Sequence, residues 1–162
     1  MRGERPVCLL ERVALDLADV AARRNLFARL GAASRRALIV SEGLLIYLTA
    51  EEVGALARDL AAPPSFQRWT VDLGSPALLQ MLKRSMGSSL DQAGAPLKFA
   101  PAEGLGFFEP FGWKGLETHS LFHTAARLRR LSWFLLVIAK LFPSQQFTAK
   151  RPWGGVCLLG RA

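Results

Sequence analysis

The stretch Leu38–Val53 reads LIVSEGLLIYLTAEEV. It opens inside ALIVSE (Ala37–Glu42), a continuous apolar run with no alternation, the pattern of a parallel strand covered on both faces. That pattern predicts a central strand. Thr49 and Glu52 then have the T-x-x-E spacing of a capping box, and Val53, Leu56, Ala57 and Leu60 fall on one helical stripe. A helix ending before Pro63 and Pro64 follows. Glu42 is left without a capping role, because Thr49 and Glu52 already serve that helix. A carboxylate just past a strand of an α/β sheet faces the crevice where ligands sit, so Glu42 reads as a binding residue.

The flanking sequence extends the strand–helix alternation. CLLERVALDL (Cys8–Leu17) ends in a strand-like apolar run, and a helix starts at the cap Asp19 and stops near Gly31. FQRWTVDL (Phe66–Leu73) reads as a strand, with Ser75 as the next cap, Pro76 at the first helical position, and Leu79, Leu82 and Met86 on one face. Residues Gly87–Gly106 turn to Ser, Gly, Pro and Ala and read as a loop or lid. GWKGLETHS reads as a short strand, Leu121–Leu141 as a helix broken near Ser132, and Trp153–Arg161 as a closing strand. One α/β domain spanning residues 1–162, with a mostly parallel sheet, is expected. Its acidic strand ends are Asp16, Glu42 and Asp72. Asp72 reads as a helix cap beside Ser75. VDLGSP (Val71–Pro76) lacks the second glycine of a nucleotide-binding loop, so it too reads as a strand end.

Composition narrows the function classes. The 162 residues carry a formal charge of +8, which attracts phosphate in general. The arginines are dispersed, however, and no aromatic-rich basic tract joins them, so no specific nucleic-acid partner is expected. Cys8 and Cys157 show no metal or redox spacing and read as small buried hydrophobes. His119 and His123 are four apart, a metal-like spacing on a helix, but nothing supplies a third ligand. LSWFLLVIAKLF (Leu131–Phe142) is shorter than the ~20 residues of a spanning helix and contains Lys140. The expectation is a cytoplasmic protein with no membrane contact.

Five segments in order, VALDLAD, VSEGLLIYLTAEEV, TVD, FFEPFGWKGLETHSL and PWGGVCLLGR, resemble the leucine carboxyl methyltransferase-like family of S-adenosylmethionine-dependent O-methyltransferases. The resemblance runs from about Val13 to Arg161, and EGLLIYL is its most specific element. It implies a Rossmann-like class I methyltransferase sheet, S-adenosylmethionine as methyl donor, and a small-molecule or protein carboxylate as acceptor. Carried over, Asp16 and Leu17 would lie against the donor's adenine, and Glu42 with Gly43 would face its amino-acid end. Tyr47 would contact the donor or, as a substrate-binding residue, the acceptor. An ionised carboxylate and an activated sulfonium need placement rather than acid–base chemistry, so no catalytic residue is expected.

The family's first two strands, with their glycine-bearing donor loop, have no counterpart upstream of VALDL, so the sequence resembles the C-terminal part of such an enzyme. In sheet order 3-2-1-4-5 those strands separate the Asp16 strand from the Glu42 strand. Their absence predicts an exposed sheet edge open to self-association, a one-walled crevice, and weak donor binding without turnover. A noncatalytic interaction module derived from a methyltransferase is the alternative.

Overall fold

The computed structural model describes residues 7–133 and 147–162. In chain order the elements are α1 (Val20–Ala33), β1 (Ala37–Ser41), a 3₁₀ turn (Leu45–Tyr47), α2 (Ala50–Ala61), β2 (Phe66–Gly74), α3 (Pro76–Gln92), a 3₁₀ helix (Gly104–Phe111), β3 (Trp113–Ser120), α4 (Leu121–Arg127) and β4 (Gly154–Arg161). The four strands form one sheet in the order β1-β2-β4-β3, with β1 parallel to β2 and β4 antiparallel to both neighbours. This is a mixed α/β architecture built on a four-stranded sheet.

Local chemistry sets the helix starts as the sequence leads one to expect. Asp19 accepts from the Ala22 N–H at α1, and Ser75 accepts from the Leu78 N–H at α3. At α2, Thr49 accepts from the Glu52 N–H while the Glu52 carboxylate accepts from the Thr49 N–H, a complete capping box. Each cap satisfies donors the helix cannot, contributing about 1 kcal/mol.

The core lies on one face of the sheet. Trp69, Val71 and Leu73 of β2 alternate with Thr70 and Asp72, which point the other way, and pack with Val53, Leu56, Ala57 and Leu60 of α2. Trp69 stands edge-to-face on Trp113 at 5.5 Å and on Phe108 at 5.4 Å. These two indoles are satisfied, Trp69 Nε1 donating to Ser41 Oγ and Trp113 Nε1 to the Ala57 carbonyl, each at 2.9 Å. Fully burying such side chains contributes roughly 1.5–3 kcal/mol apiece.

The structure departs from the sequence expectations in several places. Cys8–Leu17 forms no strand: residues 9–16 lack regular structure and a turn occupies 17–18. With no neighbouring strand to pair its backbone, the apolar run has nothing to hold it extended in a sheet. Among the described residues β1 is an edge strand rather than a central one, paired with β2 alone. Leu38 and Val40, on the face away from the core, are 61% and 62% exposed. Among the described residues one of three strand pairings is parallel, because β4 inserts between β2 and β3 in the antiparallel sense. Cys8 is exposed along with its irregular segment, whereas Cys157 is buried as expected.

Segment 87–106 is also more ordered than its composition implies. α3 runs through it to Gln92, Leu97 and Phe99 are buried, and the N–H groups of Lys98 and Phe99 both donate to the Ile46 carbonyl. His119 and His123 fall on different elements, the end of β3 and α4, so the helical spacing that suggested a metal pair is absent. Among the described residues no cluster of three metal-ligating side chains occurs, and no helix is long and apolar enough to cross a membrane. α4 ends at Arg127, and the chain reverses at Arg129 with φ 54°. That break precedes Ser132, and most of the Leu131–Phe142 stretch falls outside the described residues.

Candidate functional site

The Glu42–Leu48 loop is held from both ends. At its start Ser41 is buried under the Trp69 indole, and Glu42 is the first residue beyond the strand. Gly43 then turns with φ +60°, and no atom lies within 4 Å of where a Cβ would sit. The turn is therefore set by backbone conformation and not by crowding, a demand glycine meets at little cost. Asp72 of β2 accepts a hydrogen bond from the Gly43 N–H at 3.1 Å. At the far end, Tyr47 and Leu48 donate to the Leu44 and Leu45 carbonyls, and Leu45 is fully buried.

Two cavities flank this loop. The first, of about 300 Å³, is lined by Val40, Ser41, Glu42, Thr70, Val71, Asp72, Leu121 and Val156. It lies at the carboxyl ends of the parallel pair β1 and β2, on the face away from the core. Two carboxylates, Glu42 and Asp72, sit among apolar side chains there, which suits a cation carried on an apolar stem. Glu42 makes no hydrogen bond or ion pair within the described residues, so its charge is available to a ligand.

The second cavity, of about 560 Å³, is lined on one side by Leu15, Asp16, Leu17 and Ala18 and on the other by Leu44, Leu48, Glu51, Glu52 and Leu56. Asp16 is partly engaged by its own turn: Oδ1 accepts from the Ala18 N–H at 2.9 Å. The structure thus brings Asp16 and Leu17 against Leu44 and Leu48 of the loop. Glu42 and Gly43 lie at the other end of that loop, Glu42 facing the first cavity. Glu42 and Leu44 are two residues apart, at most ~7 Å of chain, but the first cavity opens on the face away from the core and the second is bounded by Leu56 on the core side. Tyr47 is exposed on the 3₁₀ turn and lines neither of them.

A buried Arg23–Asp59 ion pair, joined by the exposed Arg24, supports the Asp16–Leu17 wall. Arg23 of α1 pairs with Asp59 of α2, and its Nη1 donates to the Leu17 carbonyl at 2.6 Å; Arg24 Nε donates to the other Asp59 oxygen at 2.8 Å. Burial pushes the Asp59 carboxyl upward, but the hydrogen bonds and charges of Arg23 and Arg24 outweigh it and hold Asp59 below the usual aspartate range. Arg23 is 5% and Asp59 7% exposed. The sequence held a signal for this triad: Asp59 stands inside the Leu56–Leu60 apolar stripe, where a charge demands a partner.

The Gly43–Asp72 bond was not legible, since Asp72 read as a helix cap. Ser75 caps α3 alone, and Asp72 turns instead toward β1. Elsewhere Cys157, buried in the sheet, has its thiol pushed up by burial.

No protein-family model and no curated protein matches the chain. Among solved structures it is similar to the magnesium protoporphyrin IX methyltransferase of Synechocystis PCC 6803 with bound SAH, with a TM-score of 0.44 and 13% identity. The match covers 82% of this chain and 48% of that one, so the chain spans about half the length of that structure.

Proposed function

We propose that this chain carries part of the donor site of an S-adenosylmethionine-dependent O-methyltransferase of the carboxyl-methylating type, without the glycine-bearing donor loop. The observation that carries the reading is the unpaired Glu42 beside Asp72 in an apolar-walled cavity at the carboxyl ends of β1 and β2. Glu42 and the Gly43 turn would hold the donor's amino-acid end. Asp16 and Leu17, across from Leu44 and Leu48, would take the adenine, with Tyr47 toward the carboxylate acceptor. S-adenosylmethionine, when bound, supplies the activated methyl group. The residues of this chain supply position and charge, and no proton needs to be held or moved for an ionised acceptor.

Glu42 and Asp16 are both exposed, and an exposed ion pair contributes about 0–1 kcal/mol. Donor binding by this chain is therefore weak, with dissociation constants well above micromolar. Isothermal titration calorimetry with S-adenosylmethionine tests this: weak saturable binding is expected, reduced roughly two- to fivefold in Glu42→Gln. Micromolar affinity would contradict the weak-site reading, and saturable binding indifferent to Glu42→Gln would remove Glu42 from the site.

A further inference from the structure

The outer edge of β1 has no strand partner among the described residues. Ala37 donates its N–H to the Ser65 carbonyl on the β2 side, so by the alternation of an extended chain the N–H and C=O groups of Leu38 and Val40 point to the open side. No described residue pairs with them. The side chains of Leu38 and Val40 share the face away from the core and stand exposed. Arg36 directly precedes the strand and Glu42 directly follows it. Both are exposed and have no ion-pair partner within the described residues.

These positions are symmetric about Ile39. Two copies of β1 laid antiparallel about a two-fold axis at Ile39 would set Leu38 of one against Val40 of the other. The same register sets Arg36 of each against Glu42 of the other. One register therefore satisfies the outward amides, doubles the Leu38–Val40 patch into a four-residue apolar stripe, and places opposite charges at both its ends. A two-fold interface requires such self-complementarity. A slip by one residue would turn Leu38 against a backbone position of the wrong face and separate the charges.

We infer that this chain forms a two-fold dimer through antiparallel β1–β1 pairing, fusing two four-stranded sheets into one of eight strands. The inference rests on the strand edge and shares Glu42 with the methyl-transfer reading; Arg36, which has no part in that reading, tells the two apart. The contact is small, so the dimer is reversible and concentration-dependent.

Sedimentation velocity of the 162-residue chain over a wide concentration range reads it directly. A reversible monomer–dimer equilibrium is expected for the native sequence. Arg36→Glu or Glu42→Arg alone, each converting both end pairs to like charges, should weaken it by roughly tenfold, and the combined exchange should restore it. A chain monomeric throughout, a dimer indifferent to the single changes, or no recovery in the double variant would overturn the proposal. Hydrogen exchange of the native chain gives a readout free of substitutions. Leu38 and Val40 amides should gain protection as concentration rises, and unchanged exchange in a chain that dimerises would place the interface elsewhere.

Discussion

Asp72 on β2 accepts the backbone N–H of Gly43, the second residue beyond β1, at 3.1 Å. This one bond joins the tips of the two parallel strands and fixes where Glu42 stands. The turn it anchors uses a left-handed φ with open space around the missing Cβ. Gly43→Ala therefore pays only the backbone term, and it should lower unfolding free energy by about 1 kcal/mol. Asp72→Ala should cost a similar amount, about 1 kcal/mol. Because the two changes release the same turn, the double variant should fall short of their sum in a denaturant-unfolding cycle. Full additivity would show that the bond does not hold the turn.

The Arg23–Asp59–Arg24 triad makes stability depend on acid. Asp59 has a folded-state pKa held below its unfolded value, so its contribution is present above the ordinary aspartate range and is lost as pH falls through the depressed folded value. Asp59→Ala leaves the buried Arg23 charge uncompensated and should destabilise by about 3 kcal/mol at neutral pH. Asp59→Asn should flatten the acid limb of the stability–pH curve below about pH 4. Denaturant midpoints measured from neutral to acid pH check both. An unchanged acid limb in Asp59→Asn would mean that the pair is not linked to folding.

Cys8 is exposed and Cys157 is buried with a raised thiol pKa. A thiol reagent should thus label one cysteine quickly in the folded chain and the second only on unfolding. Peptide mapping by mass spectrometry identifies which. Rapid labelling of Cys157 in the folded state would contradict its place in the sheet.

Sequence patterning revealed what local chemistry decides. The caps at Asp19, Thr49 and Ser75, the strands Phe66–Leu73 and GWKGLETHS, and the closing strand at Trp153–Arg161 all follow from periodicity and turn residues, and all are present within a residue or so. The failures concern partners rather than propensity. VALDL is as apolar as β1 yet stays irregular, because a strand exists only where a neighbour takes its hydrogen bonds. ALIVS reads as doubly covered but leaves Leu38 and Val40 exposed, because apolar residues alone do not fix what packs on that face. At the site, Glu42 was legible because capping left it spare. Asp72 was not, because its choice between a helix cap and a loop 29 residues away is tertiary.

The donor reading is tested most directly by backbone amide NMR of the chain titrated with S-adenosylhomocysteine, the donor's product form. The expected result is saturable shift changes at Asp16, Leu17, Glu42 and Gly43, with a dissociation constant nearer millimolar than micromolar and with residues away from both cavities unmoved. Titration to the solubility limit with no saturable change at Glu42 or Gly43, or with changes confined to residues away from both cavities, would contradict it.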